Sequence, residues 1–151
     1  MKRVMLLLSL VMLVCASIAF AAEDKAGFRG IEWNAQLDSI KGTFNPVSEN
    51  NSRKTYTRKG DDMTMYGVKL ASIEYTFDKG ALCEVMVKAK GEDNWNKLRD
   101  GLVADFGRSD SYRIYTIYNR SGGTTIIDAI YDKDSDSAQI KFTAPGYFYG
   151  G

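Results

Sequence analysis

Hydrophobic and polar residues alternate most cleanly across the centre of the chain. Ile73, Tyr75 and Phe77 are interleaved with Ser72, Glu74 and Thr76, and Cys83, Val85 and Val87 with Glu84, Met86 and Lys88. Period-two alternation is the signature of a half-buried strand. Asp78-Lys79-Gly80 between the two runs predicts a hairpin with a three-residue loop, with Cys83 on the inward set beside Val85 and Val87. Past Gly91 the period changes. Trp95, Leu98, Leu102, Val103 and Phe106 recur at spacings of three, four and seven, which predicts a helix over Trp95 to Phe106, capped by Asp93 or Asn94 and closed at Gly107. Three further strand-like runs follow, at Tyr112 to Asn119, Thr124 to Tyr131 and Ala138 to Thr143.

Upstream the pattern is weaker. Phe28 to Trp33 alternates in part and reads as a first strand or extended arm. Asn34 or Asp38 can cap a brief helix carrying Leu37 and Ile40 and stopped by Gly42. Thr43 to Ser52, with Pro46 and Asn50-Asn51-Ser52, reads as a loop. Arg53 to Arg58 and Met63 to Tyr66 read as strands. Tight hairpins with helices in two separated places predict an α+β domain. Its antiparallel sheet has about six to seven strands, covered on one face by one long and one short helix. Trp33-Asn34 and Trp95-Asn96 each open such a stretch, compatible with two helix-plus-meander halves.

The first residues carry a different kind of pattern. Lys2 and Arg3 precede an apolar run from Val4 to Val14, and small residues ending Ala19-Phe20-Ala21-Ala22 follow. A basic start, a greasy segment and an A-x-A-like site predict a cleaved signal peptide over 1–21. A single domain over 22–146 and a tail over 147–151 follow. The apolar stretch barely reaches the ~18 residues that a spanning helix wants, so no stable membrane anchor is expected. Val14 stands where a lipoprotein signal needs a small residue before Cys15. The implied address is the periplasm or the exterior of a bacterial cell.

Composition narrows the chemistry. Lys and Arg number 20 against 19 Asp and Glu, a net charge of +1 that becomes −1 once Lys2 and Arg3 leave. Such a domain has no global field for nucleic acid or an anionic membrane, and no nucleic-acid partner is expected. Histidine is absent, which removes Ser-His-Asp and Cys-His nucleophiles, HExxH zinc sites and imidazole switches together. After leader cleavage Cys83 is the lone thiol and reads as a buried, inert one.

Candidate motifs are few. Asp132, Asp134 and Asp136 resemble the start of a calcium loop, but Ser137 and Thr143 occupy the positions that need Gly and Glu. Ser121-Gly122-Gly123-Thr124-Thr125 lacks a P-loop lysine. No cofactor or metal is expected. Arg53, Lys54, Arg58 and Lys59 surround Tyr56, a basic cluster that can grip an acidic ligand or simply charge an edge strand. Asp128 interrupts an apolar strand, and Glu74 and Glu84 are expected near one another across the hairpin; paired carboxylates can drive glycoside hydrolysis. The C-terminal runs are apolar on both faces, and one helix layer buries only one. Exposed aromatics on the second face would form a binding patch. The candidate binding residues are therefore Tyr115, Tyr118, Tyr131, Tyr56 and Arg58.

Phe28-Arg29-Gly30-Ile31-Glu32-Trp33, a short helix, a strand-rich centre and Tyr131-Asp132 together resemble small exported bacterial α+β proteins of uncharacterised function. The helix-plus-meander halves also look like the β-lactamase-inhibitor-protein fold and the outer-membrane-assembly lipoproteins. That resemblance implies binding of other proteins through a sheet face or loops, without catalysis. The identifying binding residues of those families are missing here. The expected function is an exported, non-catalytic binding module whose partner is an envelope protein or a second copy meeting it through a sheet face. A carboxylate-based hydrolase of envelope glycans, using Asp128, Glu74 and Glu84, is the alternative.

Overall fold

A computed structural model describes residues 27–107, 114–118 and 124–147, the backbone alone at 114–118 and 124. The expected leader, and the tail after Tyr147, lie outside the described residues. The elements in chain order are β1 (Gly27–Phe28), β2 (Ile31–Glu32), a single 3-10 turn (Leu37–Ser39), β3 (Phe44–Asn50) and β4 (Arg53–Arg58). Next come β5 (Thr64–Met65), β6 (Val68–Lys69), β7 (Ser72–Asp78), β8 (Ala81–Lys90) and helix α1 (Glu92–Phe106). The chain ends in β9 (Ile114–Tyr118), β10 (Thr124–Asp132) and β11 (Ser137–Thr143).

Seven of these strands form one antiparallel sheet in the order β3-β4-β7-β8-β11-β10-β9. The chain enters at one edge and steps inward to β8. It crosses through α1 to the other edge and steps inward again to β11, which pairs with β8. The fold is α+β, as the hairpin spacing predicts.

The sheet has one covered and one open face. Ile73, Tyr75, Phe77, Leu82, Val85, Val87, Ala89, Ile127, Ala129, Ala138, Ile140 and Phe142 point to the covered side and are buried. Leu98 and Leu102 of α1 pack on them. The amino-terminal arm fills the rest of that layer. Phe28, Ile31 and Trp33 join the same core, and the buried Trp33 Nε1 donates to Thr125 Oγ1 at 2.8 Å. Beside the helix lies the small β5–β6 hairpin, whose Tyr66 ring rests on Gly101 of α1 while its hydroxyl donates to Asp105 at 2.7 Å. Three connections share one solution. Arg29-Gly30, Tyr66-Gly67 and Lys79-Gly80 are two-residue turns with positive φ at both positions, the geometry that matches strand twist.

Several expectations change. The brief helix at Leu37 is only one 3-10 turn. Its neighbours' amides are committed elsewhere: Asn34 N–H donates to Leu82 O, Leu82 N–H to Ala35 O and Leu37 N–H to Gly80 O. With Asn34 N–H, Ala35 O and Leu37 N–H tied to the β7–β8 hairpin, the Ser39 and Ile40 amides close back on Gln36 O and Leu37 O as a single 3-10 turn. Thr43 to Ser52 contains an edge strand, because an edge tolerates the missing donor of Pro46; the register shifts between Pro46 and Ser48. The β7–β8 loop has two residues, since Asp78 pairs with Ala81. A bulge there pairs Phe77 with Leu82 and Thr76 with Glu84. Leu82 therefore takes the core position, and Cys83 is the extra residue, buried, with its thiol on Thr76 O at 3.3 Å. Helix α1 starts at Glu92, so Asp93 and Asn94 lie inside it, and Val103 is 38 % exposed.

Candidate functional site

The covered face is wider than its cover. Helix α1 packs on β8, β10, β11 and the small β6, leaving the β3–β4 end of the same face to the 3-10 turn and to Phe44. Between that turn and the tips of two hairpins a cleft of about 390 Å³ remains.

Its position follows from strand register. Arg53 pairs with Asp78 and Lys54 with Phe77, which sets the Asn51-Ser52 tip beside the Lys79-Gly80 tip; Lys79 N–H donates to Ser52 O at 3.0 Å. The third wall is Gln36 to Asp38, held by the bridge from Gln36 to Ala81. Gly80 is required there, with φ +85 and only 2.9 Å between a hypothetical Cβ and Gln36 Oε1.

Aromatic rings and apolar atoms make the floor. Tyr56 and Phe77 line the cleft with Leu37. Tyr56 meets Phe77 edge to face at 5.7 Å between centroids, and Phe44 meets both at 6.4 and 5.8 Å. These edge-on contacts fix the rings in orientation. The rim is polar: Gln36, Asn51, Ser52, Asp38, Lys54 and Lys79. Lys54 is half exposed and pairs with Glu49 at 3.3 Å, a contact that water screens. Lys79 makes no ion pair among the described residues. An aromatic floor under amides, a hydroxyl, the Asp38 carboxylate and two ammonium groups leaves the rim with one positive charge in excess, which suits a small ligand with an apolar face, hydroxyls and a negative charge.

The five candidate residues from the sequence do not meet. Tyr56 lines the cleft. Arg58, two positions along β4, lies over the Phe44 ring at 6.0 Å and donates to Lys41 O at 2.9 Å, so it braces the cleft's neighbourhood without lining it. Tyr131 sits on the helix side, stacked on Trp95 at 6.3 Å and hydrogen-bonded to Asp136. That bond to a carboxylate raises its pKa to about 12. Tyr115 and Tyr118 belong to β9 at the far edge, and their side chains lie outside the described residues. Missed from sequence were Gln36, Asn51, Ser52, Lys54 as a cleft residue, and Lys79. Each reads locally as turn or edge chemistry, and only the β4–β7 register unites them.

The open face, where an aromatic patch is expected, is described only as far as β10, because the β9 side chains lie outside the described residues. In register order it carries Thr55, Thr76, Glu84 and Thr143 in one row, and Glu74, Met86, Lys141 and Asp128 in the next. It is polar over its described centre; Ile130, at 40 % exposure, is the large exposed hydrophobic there. The three candidate carboxylates do share this face. Glu74 is held by Lys88 at 3.0 Å and by Ser72 at 3.2 Å. Among the described residues no cluster of three or more potential metal ligands occurs, and no helix is long and apolar enough to cross a membrane.

No family model matches the chain, and no curated protein or solved structure matches it.

Proposed function

We propose that the chain is an exported, non-catalytic binding module of the bacterial envelope or exterior. It takes a small, hydroxyl-bearing anionic ligand, such as an acidic sugar, in the cleft beside Tyr56. One observation carries the reading: the cleft combines a fixed aromatic floor with Lys79, which makes no ion pair among the described residues, and a rim of amide and hydroxyl groups. In this reading Tyr56 and Phe77 receive the ligand's apolar face, Lys79 and Lys54 its charge, and Gln36, Asn51 and Ser52 its hydroxyls. The leader-like first residues supply the export half of the proposal.

Backbone amide NMR during titration with a uronic-acid oligosaccharide and its neutral counterpart tests it. The expected shifts cluster at Gln36, Asn51 to Tyr56 and Lys79 to Gly80 and occur with the acidic sugar, and binding weakens at least tenfold in Lys79→Ala, as loss of one charge-assisted contact costs ~1.5–3 kcal/mol. Shifts confined to the open face, or none at millimolar sugar, would overturn the proposal.

A second reading, a carboxylate-based hydrolase of envelope glycans, is favoured by the shared face of Glu74, Glu84 and Asp128. Its substrate would lie across the open sheet, and glycan cleavage abolished by Asp128→Asn would be its mark.

A further inference from the structure

The two edges of the sheet are built differently. Edge strand β3 carries Pro46, which has no N–H to offer, a register shift between Pro46 and Ser48, and the charged Glu49. These are the devices by which a protein blunts an edge against other strands. Edge strand β9 has none of them. Ile114-Tyr115-Thr116-Ile117-Tyr118 is uncharged, free of Pro and Gly, and composed wholly of residues that favour strands. Its five pairs with β10, from Ile114↔Asp128 to Tyr118↔Thr124, run without a shift. Among the described residues no strand pairs with its other side. Among the described residues, this uncharged edge with an unshifted register leaves a row of N–H and C=O groups for a further strand.

We propose that β9 pairs edge to edge with β9 of a second copy of this chain, antiparallel about Thr116, giving one continuous sheet across a two-fold axis. The sequence of the strand selects this occupant. Laid antiparallel on itself about Thr116, it sets Ile114 opposite Tyr118, Tyr115 opposite Ile117 and Thr116 opposite its own copy. Aromatic with β-branched and threonine with threonine are the favourable cross-strand pairs, and no like charges oppose one another. A two-fold interface must be self-complementary in this way. The joined edge lies opposite the β3–β4 end, so each copy keeps its Tyr56 cleft open, and the inference stands apart from the ligand reading.

The test uses the full chain with Cys15→Ser and Cys83→Ser. Sedimentation should show a concentration-dependent dimer. Thr116→Cys should form a disulfide between copies on mild oxidation, because antiparallel partners lie within bridging distance. Ile114→Cys should not link to itself, but should link to a Tyr118→Cys copy in a mixture. Thr116→Lys sets two like charges on the axis and should weaken the dimer at least tenfold. Thr116 pairs with Ile126, on the open face, so the covered core is left intact; circular dichroism and thermal melting confirm the fold of each variant. A monomer at every concentration overturns the proposal, as does a dimer indifferent to Thr116→Lys. Self-linking at position 114, or a dimer that fails to link at position 116, overturns the register.

Discussion

Replacing Gly101 by alanine sets two well-measured effects against each other. In a helix interior, alanine is favoured over glycine by about 1 kcal/mol. Gly101 lies in the middle of α1, so an isolated helix would gain that amount. In the folded chain the new Cβ would sit 2.2, 2.4 and 2.5 Å from Cγ, Cδ1 and Cδ2 of Tyr66. Carbon atoms rest at about 3.5–4.0 Å, so the ring must retreat by more than ~1 Å. It has little room to do so. Tyr66 is the first residue of a tight turn, with φ at 50°, and its hydroxyl is tied to Asp105 on the same helix. Overpacking of this kind costs ~1–3 kcal/mol, and the severity of the contact favours the upper end. Near ~3 kcal/mol of strain against ~1 kcal/mol of propensity leaves a net loss of about 2 kcal/mol, a fall in Tm of roughly 8 °C for a domain of this size. Urea unfolding of Gly101→Ala, Tyr66→Gly and the double variant measures it. Tyr66→Gly removes the ring while keeping a residue that accepts positive φ. On that background Gly101→Ala should stabilise by about 1 kcal/mol, giving a coupling energy of about 3 kcal/mol. Stabilisation by Gly101→Ala in the unaltered chain would refute the reasoning, because the Tyr66 ring could not then lie on the helix.

Two titrations follow from buried groups. Tyr75 is fully buried and donates to Asp61 at 2.6 Å, and Asp61 is held in turn by Arg29. Burial first, then the bond and charge of Asp61, push the phenol far above its ordinary value of 10.0. The folded state holds this proton more tightly than the unfolded chain, so the associated stability is complete below about pH 10 and is lost as pH rises further. Tyr75→Phe should lose ~1–2 kcal/mol at neutral pH and show a shallower alkaline decline in urea unfolding; an equal decline in both would count against the network. Burial likewise raises the Cys83 thiol from 9.0 to about 11. Its stabilising share is present below about pH 9 and lost through about pH 11. In the Cys15→Ser chain, alkylation by iodoacetamide near pH 8 should be at least ~100-fold slower than for an unfolded peptide thiol. Reaction at the free-peptide rate would place Cys83 at the surface.

Periodicity alone was enough to place α1, the β7–β8 hairpin and the bounds of β4, because each is set by local alternation and by Gly or Asn at its ends. It also showed that β7 and β8 are antiparallel, as are β9, β10 and β11 in turn, since the connections between them are too short for crossovers. What it could not show are facts of register and competition. The Leu37 segment has a helix-like pattern, yet its Asn34 and Leu37 amides are tied to the β7–β8 hairpin, far along the chain. Cys83 reads as inward beside Val85 and Val87, and only the bulge gives the core position to Leu82 instead. Tyr131, Tyr118 and Tyr56 look equivalent as aromatic strand residues. Pairing sends Tyr131 under Trp95, Tyr118 to the β9 edge and Tyr56 to the cleft floor. The cleft is the extreme case: Gln36, Ser52 and Lys79 belong to three separate turns, and a one-residue slip between β4 and β7 would turn their neighbours to the opposite face. Local chemistry specified the pieces, and long-range backbone pairing decided which of them meet.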